Sequence, residues 1–473
     1  MQPKPFIRHS DSSTPDASAS KRRHGRALAA LCLAVLVAQV DTAVVNLAMH
    51  RIDGDLGAGM GALQWVLDGY NLVYAVLLLT GGLLADLCGR RLVFVIGAVI
   101  FTASSLLCAA APSVAILVGG RALSGFGAAL LVPASLAIIR VVWRDPAERG
   151  RVLGLWAACN GLAMAIGPTL GGVLIEHAGW RSIFLVAVPF SAAAAILALV
   201  SIPESSDPQG RRFDGAAQLL GALALGGMVL AAIQAHRAPT VAAAAFAAAS
   251  LALLLFARVE ARRGAAALVP LDVFRSRTFR GAMTATAGMT FGMYGVLFLL
   301  PLAWQGAGRL SALETGLALM PMALVFLAVS PCSGALAERY GARIVSAGGV
   351  ALIGAGLALI GVEAHRSSII AQEAGLALTG VGMGLATGPL MGSAVGAVIA
   401  ERAGTASALI NVARMAGAAF GVAALGAIFD AAGGGADGLR IAMLMGGAVQ
   451  IGCAAYAWLV MPAPRGHDDY SAA

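Results

Sequence analysis

The sequence predicts an all-α membrane protein of fourteen transmembrane helices, arranged as two six-helix repeats with two spans inserted between them. Three observations predict it. The 473 residues are 59% hydrophobic and only 12% charged, with a mean hydropathy of +0.84, a balance that leaves too little charge to cover a soluble surface. Apolar runs of about 20 residues, the length a helix needs to cross a bilayer, follow one another with short polar connections. The run pattern of the first half also returns in the second.

Taken in order, runs bounded by Arg, Pro and Gly place spans near 27 to 49, 62 to 84, 91 to 111, 114 to 139, 152 to 175 and 181 to 202. Two further spans fall near 214 to 235 and 240 to 257. A second set of six lies near 279 to 303, 312 to 336, 343 to 362, 369 to 396, 403 to 430 and 438 to 461. The halves match under one shift: the run opening near 27 recurs near 279, and Gly82–Arg91 (GLLADLCGRR) resembles Gly334–Arg343 (GALAERYGAR) at the same offset. Parallel repeats meeting around a central site are an established secondary-transporter architecture. The expected organisation is a disordered tail over 1–26, a six-helix half over 27–203, a linker with two extra spans over 204–278, a second half over 279–461 and a tail over 462–473.

The net charge of +8 is dispersed in short clusters between apolar runs, which speaks for membrane topology and against nucleic acid. With the N-terminus inside, the cytoplasmic segments collect most of the arginines, among them Arg22, Arg23, Arg90, Arg91, Arg140, Arg144, Arg262, Arg263, Arg339 and Arg343. The opposite side holds Arg51, Arg181, Arg237, Arg309, Arg366 and Arg440. This asymmetry predicts two cytoplasmic ends and an even span count. The Lys21-Arg22-Arg23 cluster imitates a signal peptide, but the run behind it is too long and contains Asp41, so an uncleaved span is expected. An Ala-, Gly- and Arg-rich chain with almost no lysine points to a bacterial cytoplasmic membrane.

Several chemistries are excluded by composition. The two lysines, Lys4 and Lys21, both lie in the tail, so no P-loop lysine exists to grip ATP. There is no H-E-x-x-H pattern, and the six cysteines lack metal-like spacing, so neither metal nor cofactor is expected and the chain is not read as an enzyme. What remains are charges inside spans. Each costs about 2.5–3.5 kcal/mol at a helix centre on insertion scales, which makes Asp41, Asp68 and Arg121 functional candidates. A carboxylate there can carry a proton through a transport cycle; the alternative is that Arg121 neutralises one aspartate to stabilise the bundle.

Together the motifs resemble the fourteen-span drug:proton antiporter branch of the major facilitator superfamily, which includes multidrug and methylenomycin-type antibiotic resistance exporters. Asp41-Thr-Ala-Val-Val-Asn46-Leu-Ala is similar to its first-span signature, and Gln64-Trp65-Val-Leu-Asp68-Gly-Tyr70 to its second-span opening. Gly82-Leu-Leu-Ala-Asp86-Leu-Cys-Gly89-Arg90-Arg91 resembles the family's cytoplasmic gate motif, repeated in degenerate form around Glu338 and Arg339. The segment from Arg121 to Pro133 is similar to the motif whose buried arginine is linked to proton coupling. Gly161 through Gly167-Pro168-Thr-Leu-Gly171-Gly172 resembles the fifth-span antiporter motif. Gly404 to Met415 resembles the thirteenth span, with Met415 where glutamine is common; Arg414 is either a gate or an anchor that snorkels to the interface.

The resemblance implies a major facilitator fold and a proton-coupled exporter of small hydrophobic or cationic compounds, with Asp41, Asp68 and Arg121 as the proton-coupling set. The expected partners are a small-molecule substrate, protons and the lipid bilayer, with the chain acting as a monomer. A pocket at the midplane is expected to use Asn46, Asn71, Asn160, Gln305 and Asn411. The rival readings are a dedicated exporter of one metabolite or self-made antibiotic, and a non-transporting membrane sensor or scaffold.

Overall fold

A computed structural model describes residues 17–206, 214–263, 269, 271–366, 368–399 and 402–462. Among the described residues there is no strand. The helices of the first half are α1 (Ala17–Leu56), α2 (Gly59–Cys88), α3 (Arg90–Ala109), α4 (Val114–Val142), α5 (Pro146–Ala178) and α6 (Ser182–Ser201). Next come α7 (Gly215–Gln234) and α8 (Pro239–Arg263), and a 3-10 turn at Leu271–Arg275. The second half contains α9 (Arg277–Gly306), α10 (Ala312–Val329), α11 (Ser333–Tyr340), α12 (Ala342–Val362), α13 (Ile369–Gly396), α14 (Ala403–Ala431) and α15 (Gly435–Val460).

Among the described residues, thirteen spans are long and apolar enough to cross a membrane by themselves. The remaining expected span, near 152 to 175, is α5, a helix of 33 residues. Helix starts follow local chemistry: Asp145 caps α5 ahead of Pro146, Ser276 caps α9, and Ser311 with Glu314 forms a capping box on α10. The tenth span is broken into α10 and α11 by a 3-10 turn at Ser330–Cys332, where Pro331 has no N–H to continue the ladder.

Each half repeats one neighbour pattern. In the first, α1 packs on α5 and α6, α4 on α2 and α3, and α3 on α6; in the second, α9 packs on α14 and α15, α13 on α10 and α12, and α12 on α15. The halves meet along two matching seams, α5 with α10 and α2 with α14, with α1 against α9 between them. α7 and α8 form a hairpin whose first helix lies on α2 and α14. The ends of α6 and α15 reach the face where α1, α3 and α9 begin: Arg23 Nε donates to Ser201 O at 3.0 Å, and Gly281 of α9 abuts Met461. This is called the terminal face below, and the opposite one the distal face.

The tail expected over 1–26 is described only from Ala17, and from there it is helix, continuous with the first span. The reason is local: Ala17–Arg26 contains good helix formers and a single glycine, Gly25, and Arg23 is anchored on α6. Of the tail expected over 462–473, only Pro462 is among the described residues.

Candidate functional site: a buried charge cluster beneath a distal seal

The first-half core is organised by Arg121, which projects from α4 with 1% of its surface exposed. Its Nη1 donates to Asp41 Oδ2 on α1 at 2.5 Å and its Nε donates to Val66 O on α2 at 3.1 Å. Its guanidinium carbon lies 4.6 Å from the Tyr70 ring centre and 6.0 Å from that of Phe184 on α6. Four helices are thereby held by one cation through an ion pair, a backbone bond and two ring faces. Breaking a buried pair of this kind by removing one partner costs about 3–5 kcal/mol, because the remaining charge is stranded. The pair is not saturated: Asp41 Oδ1 has no hydrogen-bond partner among the described residues.

Asp68 stands apart from this pair. It is fully buried on α2, and neither of its carboxylate oxygens has a hydrogen-bond partner among the described residues. One helical turn away, on the same face, Gln64 reaches across to the second half and donates through Nε2 to Val422 O at 3.2 Å and Ala423 O at 2.9 Å.

The antiporter-motif glycines are contact surfaces. A Cβ on Gly167 would lie 2.7 Å from the Ala43 Cβ, and one on Gly171 3.0 Å from the Val44 Cβ, so α5 lies flush on α1. A Cβ on Gly172 would lie 2.7 Å from Leu313 Cα, so α5 also meets the start of α10 backbone to backbone. Gly316 of α10 returns the contact by lying on the Pro168 carbonyl. Gly161 and Asn160 lie outside the residues whose side chains are described.

Toward the distal face, hydrogen bonds join the two halves: those of Gln64, of Gln305 Nε2 to Leu47 O at 3.2 Å, and of Leu313 N to Glu176 Oε2 at 3.3 Å. Outside this seal a cavity of about 440 Å³ is lined by His50, Asp53, Leu63, Trp304, Arg309 and Phe429.

On the terminal face, the gate motif turns at Gly89, whose φ of +116° favours glycine. Arg90 donates to Asp86 Oδ1 from Nε at 3.1 Å and Nη2 at 2.8 Å. Glu204, in the segment after α6, accepts from the backbone N–H groups of Arg91 and Leu92, each at 3.0 Å, and so caps α3. Gly82 lies 3.5 Å, at its missing Cβ, from Pro133 of α4. The motif repeat turns at Gly341 with φ +89°, while Glu338 and Arg339 are exposed. These charge pairs hold the first half together rather than joining the halves.

The expected pocket residues that are described lie on α1, α2, α9 and α14. Asn46 and Asn71 are buried with an unfilled Oδ1 each, and Asn411 is half-buried with its Nδ2 donating to Ser407 O at 3.0 Å. Gln305 belongs to the distal seal. Arg414 is half-buried on α14, and its Nε has no hydrogen-bond partner among the described residues. Sequence reasoning missed the reach of Gln64, the cap from Glu204 and the stacking of Tyr70 on Arg121.

Two repeated helical halves that meet around buried, incompletely paired charges are the architecture of a membrane transporter. The chain belongs to the Major Facilitator Superfamily, whose family model matches residues 31–422. It is 34% identical over 374 residues to the multidrug resistance protein Stp of Mycobacterium tuberculosis, covering 78% of this chain and 69% of the relative. It is 38% identical over 320 residues to a methylenomycin A resistance protein of Bacillus subtilis, covering 66% and 67%. It is 33% identical over 374 residues to the multidrug efflux pump LfrA of Mycolicibacterium smegmatis, covering 79% and 74%. The protein is a multi-pass membrane transporter of small molecules.

Proposed function

We propose that the protein is a proton-coupled antiporter that exports small hydrophobic or cationic compounds, drugs and antibiotics among them, across a bacterial cytoplasmic membrane. The observation that carries this reading is the buried Asp41–Arg121 pair, with the unfilled carboxylate of Asp68 apart from it, beneath a distal seal, in a chain whose relatives include a named multidrug resistance protein and a named multidrug efflux pump. The terminal face is cytoplasmic and the distal face external, because arginines crowd the former.

In this cycle a compound enters from the cytoplasm while the distal seams are shut. The halves then rock, the seams part, and a proton from outside takes the carboxylate that the compound or Arg121 had satisfied. The compound leaves, and the proton is released to the cytoplasm after the return. Asp68, with both oxygens unfilled, accepts either a proton or a cationic compound, so the two compete; Asp41 exchanges Arg121 for a proton. A membrane potential supplies about 2.3 kcal/mol per charge per 100 mV to the returning proton. Asn46, Asn71 and Asn411 offer polar contacts along the path, and the turn at Gly82, Asp86, Gly89, Arg90 and Arg91, with Glu338 and Arg339 in the second half, gates the cytoplasmic side.

The kinship with a methylenomycin A resistance protein supports a narrower second reading, export of a single antibiotic. The test is efflux of ethidium and of several neutral antibiotics from a pump-deficient bacterium expressing the chain, with and without an uncoupler. Uncoupler-sensitive export of unrelated compounds is the expected result. Export of one compound alone selects the narrow reading, and export that ignores the uncoupler removes proton coupling.

A further inference from the structure

The two seams between the halves match in position, but α7 follows only the α2–α14 seam. Its course along that seam is diagonal. Near the terminal face, the Gln218 side chain donates to Val76 O and accepts from the Thr80 hydroxyl, both on α2. Asp214, which caps α7 there, pairs with Arg263 at the end of α8, so the hairpin is closed at its base. Further along, Val229 and Ile233 pack with Ala419 and Ala423 of α14. In the turn after α7, Arg237 donates to Asp430 of α14 in two parallel bonds, Nε to Oδ2 at 2.8 Å and Nη2 to Oδ1 at 3.0 Å. The same guanidinium lies over Gly61 at the start of α2, its Nη1 3.7 Å from where a Cβ would stand. α7 is thus fastened to the first half at one face and to the second half at the other.

We propose that α7 is a strap across the α2–α14 seam and that Arg237–Asp430 is its latch, holding the distal face shut and letting go each time that face opens. The inference rests on the alternating movement of the halves described above. Opening the distal face must draw α14 away from α2, where Gln64 now bonds Val422 and Ala423. α7 cannot follow α14 freely, because Gln218 holds it to α2, so the strain of opening falls on the Arg237–Asp430 pair. The pair suits that duty. Two parallel guanidinium–carboxylate bonds are geometrically specific, yet with side chains 46% and 28% exposed the pair is weak enough to break in every cycle. The inserted hairpin is then a device that biases the resting state and keeps lipid out of one seam.

The test places a reporter in the closed seam with Val422→Cys, a position buried in this structure. Its labelling by a membrane-impermeant maleimide is followed in whole cells and in inverted vesicles, with the same proteins lacking the reporter as blanks and total labelling after denaturation as the measure of folded protein made. Arg237→Glu and Asp430→Arg, each alone, are expected to raise labelling in whole cells about fivefold, the scale of one exposed pair. The charge-exchanged double variant is expected to return to the original rate. Single variants that label like the parent, or a double variant as open as the singles, overturn the latch. Efflux is measured in the same cells: export without the labelling change removes the latch and leaves the transport reading, and the labelling change without export does the reverse.

Discussion

The two seams that close the distal face occupy matching positions but use different chemistry. Along α5–α10, backbone lies on backbone: Gly172 meets Leu313, Gly316 meets the Pro168 carbonyl, and the bond across is from Leu313 N to Glu176. Along α2–α14 the closing element is a side chain, the Gln64 amide spread over two carbonyls, backed by α7 from the membrane side. A glycine contact can only part as helices separate. An amide contact can also be exchanged for water or another polar group, and it is the seam with the unpaired Asp68 one turn below. In the proposed cycle the α5–α10 seam then serves alignment and the α2–α14 seam control.

The comparison is broken most severely by filling the glycine seam. Gly172→Leu places atoms inside the Leu313 backbone, where overpacking costs about 1–3 kcal/mol or more, and export is expected to be lost with the distal face left accessible to impermeant thiol reagents. Asp68→Asn sharpens the contrast from the other side: ethidium export is expected to fall roughly tenfold as the carboxylate partner of a cation is lost, while export of a neutral antibiotic persists. Gln64→Leu removes two hydrogen bonds and is expected to weaken closure by about 1–2 kcal/mol, read as faster labelling of a cysteine at position 422. The smallest effect is expected away from the seams. Glu204→Ala removes the cap on α3 at a cost of about 0.5–2 kcal/mol and is measured as a lower Tm in detergent. Glu338→Gln, on the exposed copy of the same turn, is expected to leave Tm unchanged.

Much of the fold was legible because a bilayer demands long apolar runs, and the end of each run is marked by Arg, Gly or Pro. The duplication was legible at single-residue level: Gly89 and Gly341, alike in the two motif copies, both take a left-handed turn. Asp41 and Arg121 were visible as charges in apolar surroundings, and the structure pairs them. The rest depends on which helices become neighbours. Gln64, Gln218, Glu204, Arg237 and Asp430 look in sequence like ordinary boundary residues, and their partners lie far along the chain. The early start of α1 was hidden for the same reason, since the anchor for Arg23 is a carbonyl of α6.

In the proposed cycle the carboxylate of Asp41 exchanges Arg121 for a proton that drives export. The direct measurement is proton movement in proteoliposomes holding the purified protein and an internal pH dye, started by an ethidium gradient, for the parent and for Asp41→Asn. The parent is expected to move protons against the ethidium flux, and the variant to bind ethidium while moving fewer protons for each ethidium carried. Equal proton movement for each ethidium carried in the two proteins would contradict this role of Asp41.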